Sequence, residues 1–122
     1  MKSILTAAAM AIVAFAGPAL AQKAKQDFVL INQTGYDLEE AYISPAKTNN
    51  WGPDVFSHKI LKKGMQIGVH FNPTVQTCFW DIKLVYNADH TPHVWSGVDL
   101  CKLASITVMY DAKTNTTKAT FK

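Results

Sequence analysis

From Asp27 onward, apolar residues recur at every second position in one short segment after another, and no long window holds the helical period of about 3.6 residues. A period of two places alternate side chains on one buried face of a strand, so the chain reads as all-β. Residues 27–32 (DFVLIN) and 38–43 (LEEAYI) are two strands around the turn TGYD, where Gly35 is free to take positive φ, and they are expected to form a hairpin. An irregular loop follows Ser44 and Pro45 as far as about Lys59, and then a turn at Lys62, Lys63 and Gly64. The next strand, 65–71, places Met65, Ile67, Val69 and Phe71 on one face and ends before Pro73, which has no N–H for a ladder. The longest strand, 76–86, alternates Cys78, Trp80, Ile82, Leu84 and Tyr86 on one face with Phe79, Asp81, Lys83 and Val85 on the other. After its return strand, 104–111 and 116–121 close the chain through a KTN turn. About seven short strands separated by frequent turn signals predict a single-domain antiparallel β-sandwich, with a small barrel as the competing architecture.

The tip NADHTP lets the pairing of the long strand be set out. If residues 88–91 form the loop, Asn87 faces Pro92, Lys83 faces Ser96, Trp80 lies near Asp99, Leu84 lies near Trp95, and Cys78 falls opposite Cys101. A directly opposed pair without ladder hydrogen bonds has Cα atoms about 4.5 Å apart, at the short end of what a disulfide accepts. Hairpin and bridge therefore predict each other, and one β-bulge would change which neighbours meet.

The N-terminus supports a disulfide. Lys2, an apolar run from Ile4 to Gly17, and small residues at Ala19 and Ala21 have the form of a secretory signal peptide over residues 1–21, cleaved before Gln22. The run is shorter than the roughly 18–20 apolar residues that span a bilayer, and no membrane insertion of the mature form is expected. Neither a twin arginine nor a cysteine at the cleavage point is present. The expected address is periplasmic or secreted, and the mature part is one domain over residues 22–122. Two cysteines in an oxidising compartment pair as one bridge.

The basic residues are 12 lysines against 9 acids, a net +3, and arginine is absent. Bidentate reading of phosphate or guanine is arginine's work, and these lysines are scattered, so nucleic acid is excluded as a partner.

Candidate chemistry is sparse. His90 and His93 in HTPH could meet one divalent transition metal at the hairpin tip with Asp89 as helper, although stable sites want a third or fourth ligand. No G-x-S-x-G, H-E-x-x-H, C-x-x-C or phosphate-cradling glycine loop is present. A small hydrolase or lyase would need an acid such as Asp81 in a cleft with His58 or His70. Glu39 and Glu40 are neighbours on a strand and point to opposite faces. Asn32 and Asn115 open N-x-T sequons, which matter only on a eukaryotic secretory route.

NNWGPDVFS, residues 49–57, is the most loaded loop. Trp51 suits burial against a sheet edge, Gly52 and Pro53 bend the chain, and Asp54 is a natural cap for a turn begun by Val55 and Phe56. Its functional alternative keeps Trp51 exposed, with Asp54 beside it, as a contact for a protein or glycan partner.

Taken together, NQTG (Asn32–Gly35), Ser44-Pro45, W-G-x-D (Trp51–Asp54), Gly64, C-x-W-D (Cys78–Asp81) and V-D-L-C (Val98–Cys101) resemble a family of small secreted bacterial proteins without established activity. The resemblance covers residues 27–111. Members often carry the name argininosuccinate lyase; that enzyme is a much larger, mostly helical tetramer whose serine loop has no counterpart here, and the resemblance supplies no catalytic residue. Where that family usually has Asp-Gly at the strand tip and Leu-Gly after W-G-x-D, this chain has Asp89-His90 and Phe56-Ser57. The expectation is a non-enzymatic binding protein, monomeric or a weak dimer through an edge strand.

Overall fold

The computed structural model describes residues 23–122. The expected signal peptide and its cleavage point lie outside the described residues. Seven strands follow in order: β1 (Phe28–Gln33), β2 (Leu38–Pro45), β3 (Gln66–Val69), β4 (Phe79–Tyr86), β5 (Pro92–Asp99), β6 (Ser105–Asp111) and β7 (Thr116–Phe121), with a 3-10 turn at Leu100–Lys102 between β5 and β6. They form a four-stranded sheet in the order β3-β1-β6-β7 and a three-stranded sheet in the order β2-β4-β5. The chain is thus an all-β sandwich of seven strands, and one core lies between its sheets. Leu30, Ile106 and Val108 enter that core from the first sheet, Leu38, Ile82 and Leu84 from the second.

The expected hairpin of β1 and β2 does not form: the two strands belong to different sheets. The reason is Asn32, which is fully buried at the end of β1. Its amide nitrogen donates to the carbonyls of Tyr36 (2.8 Å) and Leu61 (3.0 Å), while its oxygen accepts from the Thr34 amide and hydroxyl (3.1 and 2.7 Å). These bonds turn TGYD into a corner, with Gly35 at φ +83°. The chain crosses back in the same place, since Leu61 bridges Leu38 of β2 while Met65 accepts from the Asn32 amide on β1. A single amide side chain therefore joins both crossings between the sheets.

With β2 removed to the other sheet, β1 pairs with β3 and with β6, and the β1–β6 pair is parallel. Met65 leaves the face it was expected to share, being 58 % exposed before β3 begins. Gln26, just before β1, is fully buried and donates to the carbonyls of Val75 and Thr77, both at 2.8 Å.

The β4–β5 hairpin forms in a different register. Its tip is 87–90 rather than 88–91, closed by Tyr86 N–H to the Thr91 carbonyl and His90 N–H to the Tyr86 carbonyl, each 3.0 Å. Leu84 therefore faces His93 and Ile82 faces Trp95. A bulge at Ser96 and Gly97 then shifts the count, so that Trp80 faces Val98 and Phe79 faces Asp99. Gly97 sits at φ +64° and its amide donates to the buried Asp81 carboxylate at 2.8 Å. Bulge and 3-10 turn together restore the residues lost at the tip, and Cys78 and Cys101 form the disulfide with Cα atoms 5.2 Å apart. Cys101 reaches its partner from the 3-10 turn, not from a directly opposed strand position.

Candidate functional site

Segment 51–57 lies along the outer edge of β2. Gly52 and Val55 donate to the carbonyls of Ile43 (3.3 Å) and Ala41 (2.7 Å), so the edge is covered rather than open to another chain. Asp54 closes the arrangement by accepting from three backbone amides, those of Ala41, Phe56 and His58, each at 3.0 Å. Phe56 is the buried anchor of this loop, 3 % exposed. Trp51, expected against the sheet edge, is only partly buried. Its indole N–H donates to the Asn49 side chain at 2.7 Å, and the Lys83 ammonium lies 4.8 Å from its ring and 5.2 Å from that of Tyr42. Asp54 is committed to backbone, and the aromatic surface of Trp51 already holds a cation of this chain.

The structure does not bring His90, His93 and Asp89 to one point. His90 Nδ1 lies 2.6 Å from Glu39 on β2, and this hydrogen bond with the Glu39 charge raises the His90 pKa above its ordinary value. His93 turns the other way, its Nε2 3.4 Å from the Thr117 hydroxyl of β7 and its ring edge-on to Tyr86. Asp89 accepts from the Thr91 amide at 3.0 Å, and the Thr91 side chain and amide lower its pKa. Among the described residues, the one trio of His, Cys or acidic ligand atoms gathered within 4.8 Å of one another is Cys78, Cys101 and Asp99, and both of its sulfurs are in the disulfide.

The acid and base of a hydrolase are equally separate. Asp81 is buried and accepts from the amides of Lys47 (3.1 Å) and Gly97 (2.8 Å). His70 pairs instead with Asp27, at 3.4 Å. Burial alone would push the Asp27 carboxyl up, but the amides of Phe71 and Ala24 and the His70 ring outweigh it and hold the pKa below the ordinary value. His58 is an exposed loop residue whose amide serves Asp54. Asn32 is buried with its amide committed to four hydrogen bonds, which leaves no room for a glycan there.

A different set of residues does converge. Tyr36 from the β1–β2 corner, Tyr86 from the end of β4, and Tyr110 from the end of β6 border a cleft of about 300 Å³ with His93, Asp89, Thr91 and Asn115. Their rings meet edge to face, with centroids 6.1 Å (Tyr36–Tyr86), 5.6 Å (Tyr36–Tyr110) and 6.5 Å (Tyr86–Tyr110) apart and planes 80–87° to one another. Tyr86 is 8 % exposed and its hydroxyl pairs with that of Thr117 at 2.7 Å; burial pushes its pKa up. The Tyr110 hydroxyl donates to the Asn115 side chain at 2.7 Å. Tyr36 is 50 % exposed and forms the outer wall. The sequence carries a faint trace of this site, since each tyrosine sits beside a turn signal: TGYD, the NADH tip and the DAKTN turn. Only the topology shows that the three turns share one end of the sandwich.

The class defined by these observations is a seven-stranded, disulfide-bridged β-sandwich with a tyrosine-lined cleft at one end. Among solved structures, an NMR structure of a protein from Eubacterium rectale is similar in fold, with a TM-score of 0.56 at 13 % identity over 83 % of this chain and 93 % of that one. No family model and no curated protein matches this sequence. No helix among the described residues is long and apolar enough to cross a membrane.

Proposed function

We propose that this chain is a periplasmic or secreted, non-enzymatic binding protein, and that its ligand enters the tyrosine-lined cleft between the β1–β2 corner, the β4–β5 tip and the β6–β7 turn. Export is supported by the form of residues 1–21 and by a disulfide that a reducing cytosol would not maintain. The observation that carries the binding role is the convergence of three tyrosines and His93 from four strand ends on one concave site. Its volume lies at the lower end of small-molecule pockets, and aromatic walls with a few polar groups are their usual lining. By contrast, Asp54 and Asp81 spend their carboxylates on backbone amides.

Two measurements test the reading. The N-terminal sequence of the protein recovered from the periplasmic or secreted fraction should begin at Gln22; recovery of an intact Met1 in the cytosol would overturn the export half. An amide-resolved NMR screen of that protein with fragment mixtures should move the signals of Ala88, Thr91 and Asn115 together. Hits that gather around Trp51, or nowhere, would overturn the cleft as the binding site.

A further inference from the structure

The cleft's chemistry allows its ligand class to be named, on the reading that the cleft is a binding site. Three rings at nearly right angles border it and make the corner of a box rather than a platform. A flat sugar ring stacks on a platform, whereas a corner suits a compact, rounded group. With centroids 5.6–6.5 Å apart, one small cation lodged beside the three rings lies within the roughly 6 Å over which an aromatic ring attracts it.

Two further observations bear on charge and polarity. The hydroxyls of Tyr86 and Tyr110 are engaged by Thr117 and Asn115, so these walls offer π surface more than hydrogen-bonding groups. Among the described residues, Asp89 is the one carboxylate on the lining, and no lysine is part of it. In a protein of net positive charge, this lining carries a carboxylate and no described lysine. We infer that the cleft receives a methylated ammonium group, held by the rings of Tyr36, Tyr86 and Tyr110 with Asp89 as counter-charge.

The test is an NMR titration of the exported protein with choline and, separately, with 3,3-dimethyl-1-butanol, which has the same shape with a neutral carbon in place of the ammonium nitrogen. Choline should shift the amides of Asp89, Thr91 and Asn115 saturably, and the neutral alcohol should bind at least about 10-fold more weakly. Tyr36→Ala should weaken choline by about 5- to 30-fold. Tyr36 is half exposed, so this variant is expected to fold, which its melting curve checks; the comparison of the two ligands on the unaltered protein stands without it. Equal binding of choline and the alcohol overturns the cation assignment and leaves the cleft as a binding site, and so does saturation by methyl glucoside with choline silent. If choline and every fragment mixture leave the cleft signals unmoved, the inference and the binding reading fail together.

Discussion

Asp54 accepts three backbone amides from two stretches of chain, and an alanine there would leave all three to find water or go unpaired. Asp54→Ala should therefore cost about 2–3 kcal/mol in urea denaturation, whereas Trp51→Phe, which loses an exposed indole bond and part of a cation–π contact, should cost under about 1 kcal/mol. Equal losses would mean that Trp51, not Asp54, pins the loop. A second residue-scale effect arises where the family resemblance expects glycine. Ser57 and His90 occupy those positions at φ +53° and +61°, left-handed backbone that a side chain strains. Ser57 is exposed, so Ser57→Gly should stabilise by about 1 kcal/mol through relief of that strain, less the entropy glycine adds to the unfolded chain. A melting temperature unchanged or lowered in Ser57→Gly would refute it.

At the scale of elements, the contact of His90 with Glu39 ties the β4–β5 tip to β2. The folded His90 pKa is raised, first by the Glu39 hydrogen bond and then by its charge, so protonation favours the folded state. The contribution is fully present below the ordinary histidine value of about 6.5 and is lost as pH rises through the higher folded value. Titration of the His90 ring by NMR should show a midpoint that falls in Glu39→Gln; an unchanged midpoint would show that the pair does not persist in solution. The elements themselves were legible because period-two alternation marks a buried face, and Trp80, Ile82, Leu84 and Tyr86 are all buried on the face assigned to them, although Asp81 and Val85 of the opposite face are buried too. Which strands would pair was not. An NQTG stretch between two apolar runs looks like a hairpin turn until Asn32 is seen to spend its amide on Leu61, far along the chain, and to send the strands into separate sheets. The tyrosine-lined cleft was illegible for the same reason, since Tyr36, Tyr86 and Tyr110 become neighbours only once the sheet order is fixed. His90 and His93 erred in the opposite direction: adjacency in sequence suggested a shared metal, but the left-handed backbone at His90 and the strand beginning at Pro92 send the rings to different partners.

Across the whole molecule, β4 separates two ends, one with the disulfide and one with the cleft. Phe79 begins beside the disulfide and Tyr86 ends in the cleft, so the bridge and the cleft lie roughly 20–25 Å apart at the usual strand rise. The bridge closes a loop that contains both strands of the hairpin and its tip. In the chain-entropy model such a closure stabilises the fold by about 3 kcal/mol, chiefly by restricting the unfolded chain. The cleft, in contrast, is held locally, by the Asn32 corner, the His90 and Glu39 contact, and the hydroxyl pair of Tyr86 and Thr117. Changes that far apart with no shared partner should add independently. Replacing both cysteines by alanine should thus lower the melting temperature by on the order of 10–25 °C for a domain of this size, while leaving choline affinity at a temperature well below melting within about twofold of the bridged protein. If affinity instead fell along with stability, the two ends would be one cooperative unit and the disulfide would be setting the geometry of the cleft through β4.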